Sequence, residues 1–108
     1  MSHDGKGFVA VYRWRVAPEH EAEFRKVWIE TTEALSENGG LGSLLGRAPD
    51  GTLCAVALWP SAEARTRALE TTPEGAPWPP SERLESITMD VMDDMWAVSA
   101  LRDDGEPG

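Results

Sequence analysis

Ligands for a metal ion and partners for a disulfide are nearly absent from this chain of 108 residues. Cys54 is the single cysteine, so an intramolecular disulfide cannot form. The two histidines, His3 and His20, do not complete the set of thiolates and imidazoles that zinc sites use. Cys54 also has no histidine or cation beside it in the sequence, which favours an inert core thiol. We therefore predict that the protein uses no metal and no other cofactor.

Positive charge and long apolar runs are also scarce. Ten Lys and Arg stand against nineteen Asp and Glu, a formal net charge of −9, and no basic run exceeds two residues. Phosphate-binding surfaces need clustered cations, so we predict no nucleic-acid partner. Apolar runs such as Leu53 to Trp59 are far shorter than the roughly 20 residues that span a bilayer. Met1 to Gly7 holds no hydrophobic signal core, so we expect a cytoplasmic protein without membrane contact.

The length suits one compact domain. Both ends of the chain are polar and contain glycine, so they have little to bury. We predict a flexible N-terminus over 1–7, a single domain over 8–101 and a flexible acidic tail over 102–108.

The first half of the chain predicts a strand, a helix and a hairpin. Between Phe8 and Val16 every second residue is apolar, which is typical of a strand with one buried face. A helix is expected from Pro18, with acidic residues in its first turn, to the stop at Asn38-Gly39-Gly40. Strands over 43–48 and 53–59 flank turn residues that join antiparallel neighbours.

The second half predicts another helix and a last strand. Ser61 is a suitable N-cap for a helix over 62–70, and the proline-rich stretch 71–80 must be a loop. We expect one helical turn over 81–85 and a strand over 87–92. Residues 93–101 fit either a short helix or a continued strand.

This β-α-β-β-α-β order predicts an α+β fold of the ferredoxin-like type, with a four-stranded antiparallel sheet and both helices on one face. No segment is left to cover the second sheet face. A second copy of the chain is the simplest cover, so we predict a homodimer.

Several short segments resemble those of a known family. They are the strand end Tyr12 to Pro18, Glu21 to Phe24 in the first helix, Gly39 to Arg47, Leu58 to Ser61, and Glu63-Ala64. On these residues, the chain from Phe8 to Leu69 resembles the antibiotic biosynthesis monooxygenase family of the dimeric α+β barrel superfamily. The resemblance implies a ferredoxin-like protomer whose sheet pairs across a dimer to form a barrel. It also implies a pocket between sheet and helices in each protomer.

Members of that family with known activity oxidise electron-rich aromatic polyketides or quinols with dioxygen, without metal or flavin, and others degrade haem. Trp59 matches the family tryptophan at the end of the third strand, but Ala55 occupies the position where some oxygenases carry an asparagine. The haem-degrading branch has an asparagine where this chain has Tyr12, and a histidine beyond the third strand. No histidine follows His20 here, so haem degradation is not expected.

Four aromatic residues are candidates for binding an aromatic substrate: Trp59, Tyr12, Trp14 and Trp28. Indole and phenol faces stack on planar ligands. The same residues could instead fill the core or plug the corner between strand and helix. Trp78, between prolines, could form a lid over a pocket or anchor its loop.

Charged residues supply the catalytic candidates. Arg47, like Arg13 and Arg15, could stabilise a phenolate or superoxide through charge-assisted hydrogen bonds, or could form ion pairs at the surface. Asp90 in the last strand could take a proton from a phenol if half buried, or could be an exposed edge carboxylate. Met89, Met92, Met95 and Trp96 form an apolar cluster of the kind that fills dimer interfaces.

Two classes of function fit these residues. The first is a cofactor-independent monooxygenase that oxidises an electron-rich phenol, anthrone or quinol with dioxygen. The second is a dimeric ligand-binding or accessory protein without turnover, and a cyclase or isomerase is a third. Fold alone does not decide among them.

Overall fold

The computed structural model describes residues 7–98 as an antiparallel sheet with two helices on one side. The predicted flexible ends, apart from Gly7, and the last part of 93–101 lie outside the described residues. The elements are β1 (Phe8–Arg15), α1 (Pro18–Glu37), β2 (Ser43–Arg47), β3 (Leu53–Trp59), α2 (Ala62–Thr71), β4 (Glu82–Arg83) and β5 (Ile87–Asp90). The predicted ferredoxin-like β-α-β-β-α-β order is confirmed.

The strand order is β2-β3-β1-β4, and β5 also pairs with β1 on the same edge as β4. Two short strands therefore share the position of one last strand. The helical turn predicted over 81–85 is wrong, because Arg83 pairs with Trp14 and Glu82 with Arg15. Pairing satisfies backbone groups along the edge of β1, which a single isolated helical turn would leave open. Residues 93–98 form neither helix nor strand.

The pairing register separates the two faces of the sheet. On one face Tyr12 lies opposite Ala55 and Trp14 opposite Leu53, and α1 and α2 pack against this inner face. The outer face carries the other parity, listed across the sheet as Leu44, Val56, Leu58, Val9, Val11, Ile87 and Met89. Leu44, Ile87 and Met89 are 55%, 59% and 49% exposed, so the outer face is apolar and is not covered by any of residues 7–98.

Local signals explain where each helix begins and ends. Pro18 occupies the first turn of α1, and the chain leaves that helix through Gly39, whose φ of +112° favours glycine. The amide of Gly40 then donates to the carbonyl of Leu35 at 2.9 Å, which folds the chain back towards β2. Ser61 caps α2, and its Oγ accepts from the amide of Ala64 at 3.0 Å.

The buried apolar core of the described residues is small. It comprises Ala10, Phe24, Val27, Leu53, Ala55, Trp59 and Ala68. Alanines supply much of it, so the inner face of the sheet has little bulk at its centre and the helices do not close onto it. Neither helix of residues 7–98 has the length and hydropathy needed to cross a bilayer.

Candidate functional site

A cavity of about 520 Å³ lies between the inner face of the sheet and the two helices. Its floor is formed by Ala55 and Ala57 of β3, and α1 and α2 form two of its sides. The small side chains on the floor leave the space that a larger residue would fill. The volume falls in the range of pockets that hold small organic ligands.

Aromatic rings form much of the cavity wall. The five that line it are Tyr12, Trp14, Trp28, Trp59 and Trp78. The ring of Trp14 stacks on Tyr12 with a centroid distance of 5.8 Å, and on Trp78 at 6.4 Å with an angle of 16° between planes. Phe24 supports both tryptophans from below at 5.1 and 5.0 Å. Tyr12, Trp14 and Trp78 therefore form a stacked group in the wall, which suits a planar aromatic ligand.

Two arginines give the cavity its positive charge. Arg65 of α2 donates from Nη2 to the hydroxyl of Tyr12 at 2.7 Å, and its guanidinium lies 6.0 Å from the Tyr12 ring centre. The guanidinium of Arg83 lies 5.0 Å from the same ring. Neither arginine has a carboxylate within 4.0 Å among residues 7–98. Among the described residues, no Asp, Glu or His lines the cavity.

Two buried donors in the cavity wall have no hydrogen-bond partner within the described residues. They are Nε1 of Trp59, whose residue is 3% exposed, and Nε of Arg65. Buried polar groups are normally hydrogen-bonded, so each unpartnered donor calls for an explanation. Both residues line the cavity, so these donors belong to the wall that a ligand would contact.

The structure brings the four aromatic candidates from the sequence together. Tyr12, Trp14, Trp28 and Trp59 all line the cavity. The place of Trp59 depends on Gly40, since a Cβ there would lie 3.3 Å from Trp59 Cζ3 and 3.1 Å from a backbone oxygen. Trp78 also lines the cavity, and it is 42% exposed on the proline-rich loop.

The two catalytic candidates lie away from this wall. Arg47, at the end of β2, is exposed and forms an ion pair with Glu21 of α1, and this hydrogen bond lowers the pKa of the Glu21 carboxyl. Asp90 pairs with Phe8 at the end of the sheet and is exposed. Neither residue lines the cavity.

Arg13 and Arg15 lie on the outer face and are also ion-paired. Arg15 donates to Glu82 at 2.7 Å. Arg13 joins two loops, with Nη1 donating to Glu85 at 2.9 Å and Nη2 to Asp50 at 3.0 Å. Hydrogen bonds from the hydroxyl and amide of Thr52 are the main cause of a lowered pKa at the Asp50 carboxyl, and the charge of Arg13 adds to them. These arginines hold surface segments together.

Sequence reasoning missed Arg65 and Arg83. Arg65 stands three and four residues before Ala68 and Leu69, so it shares the apolar stripe of a short helix. An arginine on such a stripe is the signal that could have found it. Arg83 had no such signal, because it falls in the segment predicted to be helical.

Metal ligands are not gathered anywhere in the described part of the chain. No group of three or more His, Cys, Asp or Glu side chains within residues 7–98 has the geometry to hold an ion. Cys54 is a partly buried free thiol.

Comparison with known proteins gives structural relatives but no sequence family. No family model matches the chain, and no curated protein matches it. Among solved structures, SnoaB from Streptomyces nogalater, described as a cofactor-independent oxygenase, aligns with a TM-score of 0.63 and 20% identity, covering 82% of this chain and 96% of SnoaB. A mutant of the same oxygenase aligns with a TM-score of 0.64 and 21% identity, covering 83% and 97%.

A second structural relative is Rv0793 from Mycobacterium tuberculosis. Its TM-score is 0.56 at 13% identity, and the alignment covers 83% of this chain and 99% of Rv0793. Both relatives have folds of the antibiotic biosynthesis monooxygenase type. At these identities the comparison establishes a shared fold.

Proposed function

We propose that the protein is a cofactor-independent monooxygenase of the antibiotic biosynthesis monooxygenase family, acting on an electron-rich anthrone, quinol or related phenol. The observation that carries the proposal is the aromatic-walled cavity with two arginines that have no carboxylate partner among residues 7–98, set in a fold shared with a cofactor-independent oxygenase. A planar substrate stacks against Trp14 and Trp59, and Arg65 lies at the oxygen-bearing edge of its ring.

The chemistry needs no external reductant, because the substrate supplies the electrons. The anion of an anthrone gives one electron to dioxygen, and the resulting radical and superoxide recombine to form a carbon–oxygen bond. Breakage of the peroxide bond then leaves a carbonyl on the ring, and the second oxygen atom departs as water. The protein aligns the reactants and stabilises negative charge with Arg65 and Arg83.

Oxygen consumption tests this proposal directly. Metal-free protein is mixed with a panel of anthrones, hydroquinones and catechols in an oxygen electrode, with heat-inactivated protein as the background. We expect uptake above the background rate for at least one member of the panel, with one dioxygen consumed per substrate. Trp59→Phe should lower kcat/KM by about tenfold, since it removes the indole donor and part of the stacking surface.

Trp96→Phe is the matched control, because Trp96 is 67% exposed and lies outside the cavity lining. Uptake that is equal in the two variants would contradict the role given to Trp59. No uptake with any panel member would reject the oxygenase.

A ligand-binding protein without turnover is the second candidate. One observation favours it: no carboxylate or imidazole of residues 7–98 lines the cavity to act as a base. Heat of binding without oxygen consumption would identify this function.

We also propose that a second copy of the chain covers the outer face of the sheet. Leu44, Ile87 and Met89 are about half exposed there, and the apolar surface continues across four strand positions. Light scattering should therefore give twice the 11.8 kDa chain mass. Leu44→Asp should produce a monomer, whereas Ile29→Asp, at a 47% exposed position on α1, should remain a dimer. A monomer for the unmodified chain would refute this interface.

A further inference from the structure

The described residues that line the cavity carry positive charge and no negative charge. Tyr12 comes from β1, Arg65 from α2 and Arg83 from β4, and the lining parts of α1, β2, β3 and the proline-rich loop contribute none. The chain as a whole carries a net charge of −9. A positive cavity in so acidic a protein favours an anionic occupant over a neutral or cationic one.

The unpartnered groups in the wall point the same way. Trp59 Nε1 and Arg65 Nε can only donate hydrogen bonds. A ligand that satisfies both must present acceptor oxygens there. The oxygen of an ionised phenol or enol is a stronger acceptor for such donors than the neutral hydroxyl, because hydrogen bonds to charged groups are the stronger ones.

The position of Arg65 is fixed by its neighbour. The Tyr12 hydroxyl accepts from Arg65 Nη2 at 2.7 Å, and the Tyr12 ring is itself held by stacking on Trp14. The hydroxyl engages one nitrogen of the guanidinium, and Nε has no hydrogen-bond partner in the part of the chain that the structure describes. Tyr12 is therefore a positioning residue for an anion-binding Arg65.

We infer that the cavity takes its aromatic ligand as an oxyanion already formed in solution, and that Arg65, positioned by Tyr12, selects this ionised form over the neutral one. The inference deepens the proposed function and rests on it for the aromatic nature of the ligand. It also explains why none of the described carboxylates or imidazoles lines the cavity. Ionisation occurs before binding, and the protein supplies selection and stabilisation.

Calorimetric binding of two redox-stable probes tests the inference without oxygen chemistry. 2-Hydroxy-1,4-naphthoquinone is an enolate at neutral pH, and its methyl ether has nearly the same shape without the charge. We expect the enolate to bind about tenfold or more tightly than the ether, since hydrogen bonds to charged groups are the stronger ones. Affinity for the hydroxy compound should fall as the pH drops through the probe's own pKa.

The variants separate Arg65 from general effects of helix charge. Arg65→Gln should abolish the preference for the enolate and leave the ether's affinity almost unchanged. Arg67→Gln removes an exposed arginine from the same helix and should keep the preference. Tyr12→Phe should reduce the preference several-fold, because it removes the acceptor that holds Arg65.

Equal affinity of the unmodified protein for the two probes would overturn the inference, and so would loss of both ligands in parallel in Arg65→Gln. If that variant does not fold, the pH dependence of the unmodified protein decides. A clear enolate preference with no oxygen uptake from any substrate would support the anion site and reject the oxygenase.

Discussion

The two faces of the sheet treat positive charge in opposite ways. On the outer face Arg13 and Arg15 have carboxylate partners within 3.0 Å. In the cavity on the inner face, Arg65 and Arg83 have none among residues 7–98 and lie against the Tyr12 ring instead. Carboxylates outnumber basic residues nearly two to one in this chain, so unpaired arginines in a cavity need a particular arrangement.

The difference shows what each face is built to do. Ion pairs on the outer face join loops at the edge of the sheet and neutralise Arg13 and Arg15. The inner face keeps its arginines uncompensated, at a cost in folding that a bound anion would offset. The comparison can be tested by changing one face at a time.

The largest effect is expected from Phe24→Ala, which removes the support beneath the aromatic wall. Phe24 is fully buried and touches both Trp14 and Trp78. Loss of a buried phenylalanine side chain costs about 3–5 kcal/mol in the free energy of unfolding. Urea unfolding followed by far-ultraviolet circular dichroism would measure it. Ile29→Ala, on the exposed side of the same helix, should cost much less, and equal losses would show that the inner face is not the core.

Adding the same methyl group at Gly40 and at Gly46 tests the packing on the two sides of the sheet. A methyl group at Gly40 would press on Trp59 and on the carbonyl of Leu35, whereas one at Gly46 would meet nothing within 4 Å. Gly46 pairs with Cys54, so a side chain at position 46 would lie on the outer face of the sheet. Gly40→Ala should lower the free energy of unfolding by about 1–3 kcal/mol.

Gly46→Ala should be neutral or slightly stabilising, by about 0.5 kcal/mol. Thermal unfolding of the two variants side by side gives the difference. A larger loss for Gly46→Ala than for Gly40→Ala would mean that the outer face is more tightly packed in solution than in the single chain.

The smallest effect is expected at Asp50, which accepts hydrogen bonds from Thr52 and pairs with Arg13 of the outer face. The pKa of Asp50 is lower in the folded protein than in the unfolded chain, so Asp50 stabilises the fold at pH values above its unfolded pKa. That contribution disappears as the pH falls through the folded pKa. Asp50→Asn should therefore lose less stability than the unmodified protein between about pH 5 and pH 2.

Urea midpoints measured across that pH range would show the effect of Asp50→Asn. Glu33→Gln, an exposed carboxylate on α1, is the control and should follow the unmodified protein. Parallel curves for Asp50→Asn and the unmodified protein would mean that the Thr52 hydrogen bonds and the Arg13 ion pair of Asp50 together contribute nothing measurable.

Much of the fold was predictable because each element has its own local signal. The alternation of β1, Pro18 at the start of α1 and the Ser61 cap gave the main elements to within a few residues. The end of the sheet was not predictable, because the Glu82–Arg83 pairing depends on the free edge of β1, which is set by the tertiary structure. The residue pattern around Glu82 and Arg83 does not indicate that they pair with β1.

The candidate site divides in the same way. Tyr12, Trp14 and Trp59 share the inner face through strand parity and register, and parity can be read from the sequence. Arg47 and Asp90 are the last residues of β2 and β5, and neither lines the cavity. The sequence does not show how far each strand end lies from the cavity, because that depends on the tertiary structure. Arg65 lines the cavity because α2 packs against the inner face of the sheet. The alternation of residues in the strands does not predict how a helix packs.

The distribution of tryptophan gives the molecule an optical property. Four of its five indoles line one cavity, and Trp96 is the fifth. Nearly all of the intrinsic emission therefore arises within a few ångströms of any occupant, and a planar acceptor stacked there would quench most of it at once. Trp96→Phe would remove the tryptophan outside the cavity lining, so the fluorescence of that variant would report directly on whether the cavity is occupied.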